Sequence, residues 1–286
     1  MSVAVKDRSA AYASRLKIRE GHHNKQTSGF APGFAQANLV ILPQEWARDF
    51  FEFCYRNPKA CPLLAVGRPG DVTLPTLGKD INISTDVPKY RVFKDGIFVE
   101  EIEDCSNYWR ADFVSFLIGC SFSFEWAILK AGIEVRHIAL DRNVPMYRTN
   151  IQCESAGPFE GPFVVSMRPM KPKDAITAIQ LTGAMPQVHG APIHFGDPEE
   201  IGIADIANPD FGDAVPIYEG EVPVFWACGV TPQVAVMNAK PEIAITHSPG
   251  CMLVTDITDD QLVDGTFAFN YAEARKLFNS TVVKIE

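Results

Sequence analysis

Four runs in this chain are apolar almost without alternation, at residues 37–42, 222–227, 243–246 and 252–255, and they restrict the fold more than any other feature. A strand with one face in water alternates apolar and polar side chains, whereas an unbroken run needs cover on both faces. The runs lie toward the two chain ends, and from Gly132 the strands between them become shorter and are broken by Pro and Gly. This pattern predicts an α/β protein. A three-layer α/β/α domain would be built from both ends, residues 1–130 plus 222–286. A smaller two-layer α+β domain, residues 131–221, would be inserted. Val40, Phe225, Ile245 and Leu253 are then expected to share one sheet.

Local signals fill in the elements. An N-terminal helix should end near Gly21, and Pro43 should open a second helix to about Arg56. Residues 63–66 suit a short strand, and Asp95-Gly96 between two strand-like runs marks a hairpin. Helices are expected at 106–118 and 122–130, broken at Gly119-Cys120-Ser121, and another around 173–181. Short strands are expected at 135–138, 146–150, 163–168 and 192–195. The tail from Thr258, with Asp259-Asp260 as a turn, looks appended.

With 26 basic and 35 acidic residues the net charge is −9, and no basic block appears. That argues against nucleic acid or an anionic membrane as partner and leaves a small carboxylate substrate and self-association as the expected contacts. The seven cysteines are dispersed with no CxxC pair, as suits free thiols in a reducing, cytoplasmic setting. The first twenty residues lack the apolar core of a secretory signal. The longest near-apolar run, 113–129, is interrupted by Gly119, three serines and Glu125, and is too polar to span a bilayer.

Candidate chemistry gathers at element ends. The run 222–227 turns through Cys228-Gly229 into a helix for which Thr231 would be the N-cap and Pro232 the first residue. Helix-start N–H groups attract anions and lower a thiol pKa, so Cys228 is expected to have thiolate character, with Gly229, Thr231 and Gln233 beside a bound anion. The break at Cys120-Ser121 repeats the motif, with Ser121 or Ser123 as cap and Glu125 in the first turn. Its sharper interpretation places Cys120, Ser121 and Glu125 in one cleft with Cys228. His189, His194 and His247 fall in Gly/Pro-bounded loops, where an acid–base group belongs. His189, His194 and Asp197 could ligate a divalent metal, but Asp197 before Pro198-Glu199-Glu200 fits a helix cap better, so no cofactor is expected. Arg148, Asn150 and Arg168 could hold a carboxylate, Arg by two parallel hydrogen bonds. Each also has an ordinary structural explanation as cap, core thiol or surface ion pair. Thr27, Gly29, Gln36 and Asn38 form a polar loop suited to closing over a ligand, without the spacing of a phosphate-binding motif.

Several longer phrases carry a resemblance. They are Gln36-Ala37-Asn38-Leu39-Val40-Ile41-Leu42-Pro43, Thr85-Asp86-Val87-Pro88-Lys89-Tyr90-Arg91-Val92, and residues 116–125, 142–150, 164–169, 188–198, 225–233 and 245–256. Together they resemble the D-glutamate cyclase family, whose bacterial members are named hydro-lyases, over residues 8–257. The chain departs from the family at Asn82-Ile83-Ser84, where a basic residue beside Thr85-Asp86 is expected. The resemblance implies a lyase that dehydrates a small amino acid such as D-glutamate to 5-oxo-D-proline, or runs the reverse. His189 or His247 would be the acid–base, the Cys228–Thr231 turn the anion cradle, and Arg148 or Arg168 the anchor. Cys120 and Cys228 also permit an opposed-thiol mechanism that moves an α-proton. Two alternatives stay open, a non-catalytic carboxylate-binding or accessory subunit of an oxoproline-processing system, and a metal-dependent hydrolase.

Overall fold

The computed structural model describes residues 9–279. The chain is mixed α/β, and the named strands pair antiparallel throughout. Helix α1 (Ser9–Arg19) leads to β1 (Phe34–Pro43), α2 (Gln44–Arg56), β2 (Leu63–Val66), the hairpin β3 (Tyr90–Lys94) and β4 (Ile97–Ile102), and β5 (Phe113–Gly119). Next come α3 (Phe122–Lys130), α4 (Arg136–Ala139), β6 (Met146–Gln152), β7 (Pro162–Met170), α5 (Pro172–Gly183) and β8 (His194–Phe195). The remainder is β9 (Val222–Ala227), α6 (Val230–Ala239), β10 (Ala244–His247), β11 (Leu253–Thr258), α7 (Asp259–Val263) and α8 (Tyr271–Asn279).

Strand β1 is the axis of a seven-stranded sheet ordered β2-β5-β1-β10-β3-β4, with β11 also on β1. Every residue of β1 is buried, as its unbroken sequence requires. Its side chains divide by parity. Ala35, Ala37, Leu39 and Ile41 join Phe124 and Ile128 of α3 and Ala175 and Ala178 of α5. Val40 and Leu42 join Phe50 and Phe53 of α2 on the other side. There Phe50 meets Phe116 of β5 edge-on, with ring centroids 4.8 Å apart, a favoured aromatic geometry.

Strand β5 pairs with one edge of β1 from Ala37 to Pro43, and the other edge is shared by β10 and β11. Val40 faces Thr246, while Gln36 faces Val254. Four steps back along β1 thus correspond to eight steps forward along its partner, four more than a continuous strand would take. The surplus is looped out at residues 248–252. In effect β10 and β11 are one strand interrupted beside Asn38 and Leu39.

Strand β9 lies elsewhere than expected. It is a central strand of a separate four-stranded sheet, β6-β7-β9-β8, so Val40 and Phe225 do not share a sheet, whereas Ile245 and Leu253 both pair with β1. An unbroken apolar run reports two-sided burial, not sheet membership. In β9, Val224 and Trp226 enter the core that holds Phe124, while Phe225 packs with Tyr147 and Met167.

Three local expectations also give way. Residues 113–119, expected as the end of a helix, form β5, because a short buried run has the same apolar content in either state. Residues 135–138, expected as a strand, overlap the short helix α4. The Asp259-Asp260 pair opens helix α7 under a Thr258 capping box rather than making a turn, and Phe267, Phe269 and Ala274 of the tail pack on the two cores.

The end of β5 is the tightest approach in this frame. A Cβ on Gly119 would sit 1.9 Å from the carbonyl oxygen of Gln187, a backbone atom with little room to retreat. On Gly183, at the end of α5, the nearest atom would be 3.9 Å away. Gly119→Ala should therefore destabilise the protein by about 3 kcal/mol or more, in the range of severe overpacking. Gly183→Ala should leave stability unchanged or slightly raised. Urea denaturation of the two variants against the parent protein measures both effects.

Candidate functional site

Three chain breaks meet at one point. Strand β5 ends at Gly119 and passes through Cys120-Ser121 into α3, β9 passes through Cys228-Gly229 into α6, and the β10–β11 interruption supplies the facing loop. Between them lies a cavity of about 20 Å³ lined by Asn38, Cys120, Ser121, Asn143, Cys228, His247, Pro249, Gly250 and neighbouring apolar side chains. That volume accommodates roughly one water molecule. Other surface hollows are larger, but they are built from mixed surface charges on α2 and α8 or from the neighbourhood of Tyr12 and Phe267.

Backbone geometry fixes this meeting point. Asn38 donates its amide to the carbonyls of Gly119 at 2.9 Å and Ile118 at 3.2 Å, bracing the end of β5. Gly229 lies against that amide, where a Cβ would come within 2.1 Å of Nδ2, so close packing demands glycine. Helix α6 starts at Val230 with Gly229 as N-cap, earlier along the chain than expected. Thr231 is consequently no cap. Its hydroxyl accepts from the Val164 N–H at 2.9 Å and ties α6 to β7. Ser121 occupies the N-cap position of α3, as expected, but its hydroxyl makes no capping bond, and Ser123 lies within the helix. Ser121 Oγ accepts from Arg168 Nη2 at 3.1 Å, and Ser123 Oγ accepts from the Gln36 N–H at 2.9 Å.

His247 fills the gap in the interrupted strand. Its Nδ1 lies 3.1 Å from the Leu39 N–H and 3.2 Å from the Leu39 carbonyl, standing in for the backbone partner that the loop removes. Gln233 Nε2 donates to the His247 carbonyl at 3.1 Å and lies 3.2 Å from both ring nitrogens. Burial pushes the imidazole down to about 4, against the opposing effect of the Leu39 backbone and with a further push from Arg91.

His189 does not line the cavity. It is fully buried behind Gly119, in a left-handed conformation at φ 79°, with Nδ1 3.0 Å from the Lys59 carbonyl. Burial lowers it to about 4 as well. Arg148 and Asn150 are exposed on β6. His194 has its Nε2 2.7 Å from the Asp197 carbonyl, and the Asp197 carboxylate caps the turn at Glu199. Of the three residues considered for a metal, His189 is thus engaged apart from the other two, and His194 meets Asp197 through its carbonyl rather than its carboxylate. No cluster of three such groups suited to a metal occurs among the described residues.

The thiols reverse the expected electrostatics. Burial raises Cys228 to about 11, despite the N–H groups of Val230 and Gly229 and the charge of Arg168. Burial also raises Cys120 well above the usual thiol range. A helix start lowers a thiol pKa only where water still solvates the thiolate, and here both thiols are neutral.

Arg168 lies directly behind the cavity and is 1% exposed. Its Nε donates to Glu125 Oε1 at 3.0 Å, Nη1 to Ser166 Oγ at 3.0 Å and Nη2 to Ser121 and Glu125. His137, absent from the candidates read in the sequence, places Nε2 3.0 Å from the same carboxylate oxygen. Burial alone would raise Glu125, but His137 and Arg168 outweigh it and hold the carboxyl down to about 2. No sequence cue marks His137, since it lies on a four-residue helix 12 positions from Glu125. Arg19 grips the buried Asp86 carboxylate with Nε and Nη2 at 2.8 and 2.9 Å.

Fold and cavity together define a class: a mixed α/β protein with a small site between two helix starts, where a few polar side chains stand among apolar ones. Comparison with known proteins makes this specific. The D-glutamate cyclase family model matches residues 114–256, and the chain belongs to that family. A relative from Verminephrobacter eiseniae, named "Putative hydro-lyase", is 61% identical over 249 residues, covering 87% of this chain and 91% of its own. Relatives bearing the same description in Bordetella pertussis and Azorhizobium caulinodans are 60% and 57% identical, covering 88% of this chain and 91% and 92% of theirs. Among the described residues no helix is long and apolar enough to cross a membrane.

The buried imidazoles give the fold an acid limit. A folded pKa of about 4, below the ordinary 6.5, means the folded chain binds fewer protons than the unfolded chain between those values. Stability from each neutral imidazole is full above about pH 6.5 and is lost as pH falls toward 4, by on the order of 3 kcal/mol each. Glu125 contributes in a separate window, keeping its full effect above its ordinary 4.5 and losing it as pH falls toward 2. The urea midpoint should drop across the upper window, and His247→Asn should reduce that drop by about half, leaving the share of His189. A midpoint level from pH 6.5 to 4 would refute it.

Proposed function

We propose that the chain is a hydro-lyase that removes water from a small amino acid such as D-glutamate to close 5-oxo-D-proline, or adds it in reverse. The observation that carries this is the convergence of the α3 and α6 starts on one cavity with His247 between them. Backbone N–H groups there carry partial positive charge in a water-poor setting, which stabilises oxyanion character on a carboxyl under attack.

In the forward direction the neutral amine attacks the γ-carboxyl carbon. A C–N bond forms and a C–O bond breaks, and the departing hydroxyl keeps the proton of the neutral γ-carboxyl and takes the one lost by nitrogen, so that it leaves as water. His247, held neutral by burial, accepts a proton from nitrogen as the new bond forms and returns it to the leaving oxygen. Cys120 and Cys228 serve as neutral thiols at the cavity wall, weak hydrogen-bond donors rather than a thiolate pair, so the opposed-thiol mechanism is the weaker option. Arg168 acts as a positioning residue. With its guanidinium bound to Glu125, Ser121 and Ser166, it orients Ser121 and supplies a fixed positive charge behind the site.

The accessory reading draws on one specific observation. Among the described residues, no titratable group at the cavity is held near neutrality, which suits binding better than proton transfer. Purified protein incubated with a panel of D- and L-acids, followed by mass spectrometry for loss or gain of water, separates the two. Turnover of D-glutamate is expected, with His247→Asn lowering kcat by about 100-fold or more. Cys228→Ser should keep most of the activity. Saturable binding of an acid with no turnover of any would establish the accessory role instead.

A further inference from the structure

A cavity with room for about one water must move a wall to admit an acid. Its walls are strand and helix ends, except for the loop at 248–252, which leaves the sheet and contributes Pro249, Gly250 and Met252. Lys89 and Glu101 hold the start of that loop at Ser248 and Asn143 binds the Pro249 carbonyl, while its tip and end are pinned by Thr27. Thr27 is fully buried, its N–H donates to the Gly250 carbonyl at 2.7 Å, and its hydroxyl donates to the same carbonyl at 3.2 Å. The hydroxyl also accepts from the Met252 N–H at 3.1 Å. Behind it, the Thr27 carbonyl accepts from Gln36 Nε2 at 2.8 Å, which anchors the pin to β1. The adjacent Ser28 donates its hydroxyl to Glu125 Oε2 at 3.0 Å, the carboxylate that holds Arg168. Two consecutive side chains thus touch the movable wall and the fixed charge behind the opposite one.

We propose that Thr27 is a positioning residue that holds the 248–252 loop closed against Cys120 and Cys228, and that a small carboxylate enters when this latch releases. Only the identity of the entering acid rests on the lyase reading. The latch itself is a property of the loop.

Burial of the two cavity thiols provides a direct readout. Thr27→Val keeps the shape and removes both hydroxyl bonds, leaving the Met252 N–H without its acceptor. Thr27→Ser keeps the hydroxyl. The full-length proteins are alkylated with iodoacetamide under native conditions and the rate at each cysteine is followed by peptide mass mapping. In Thr27→Val, Cys120 and Cys228 should label about tenfold faster or more, the consequence of an unpaired buried donor favouring the open loop. Cys54, on the buried face of α2, and Cys61, in the same core, should keep the parent rate, and Thr27→Ser should match the parent everywhere. Unchanged labelling of Cys120 and Cys228 overturns the latch. A common rise at all seven cysteines overturns it too, because the hydroxyl would then hold the fold rather than the wall. Assayed beside this, D-glutamate separates the two ideas. Selective labelling with no turnover by the parent protein leaves the latch standing and removes the lyase. Turnover with unchanged labelling does the reverse.

Discussion

Everything at the centre of this molecule follows from the need to pair the backbone of β1. That strand is wholly buried, so each of its N–H and C=O groups must find a partner away from water. Strand β5 satisfies one edge. The other edge is given to β10 and β11, which leave a gap opposite Leu39, and the gap is closed by a side chain instead of a backbone. His247 is therefore a structural substitute and a cavity group at once. The same bond that completes the sheet fixes the ring over the cavity.

The second organising element is the buried charge set of Glu125, Arg168 and His137. Taking such groups out of water is costly, and they persist because each is closely paired. Their placement connects the two sheets, since Glu125 rides on α3 after β5 while Arg168 belongs to β7. Removing one partner would leave an uncompensated charge in the core, which makes this set a rigid backing for the cavity rather than a mobile binding group.

The sequence discloses burial well and partnership poorly. Ile245 and Leu253 do pair with the strand of Val40, although their apolar runs alone do not specify it, whereas the two-sided cover of β1 and the Asp95-Gly96 hairpin are legible, because each rests on local pattern. Phe225 is not, because its apolar run would look the same in either sheet. The place of Cys228 at a helix start can be read from the residues, but its pKa cannot, because a sequence shows the N–H groups near a thiol and not the loss of water around it. Arg168 stands out as a candidate anchor, whereas the use of its guanidinium in internal pairing does not, since its partners Ser121 and Glu125 lie more than forty positions away. Thr27 is visible only as part of a polar loop. Its contacts with Gly250 and Met252 cross over two hundred residues.

The four-residue surplus between β10 and β11 has an arithmetic of its own. Along β1 the odd-numbered residues face the larger core, and their partners Ile245 and Leu253, one on each side of the interruption, face it too. Side chains alternate with a period of two, so the facing of Leu253 and Ile257 is set by the register in which β11 rejoins β1, and the looped-out residues, lying off the pleat, do not alter it. Length variation at this loop is accordingly uncoupled from the sheet. The wall of the cavity can grow or shrink residue by residue while β11 keeps its register, which leaves the size of the site adjustable while the fold around it stays fixed.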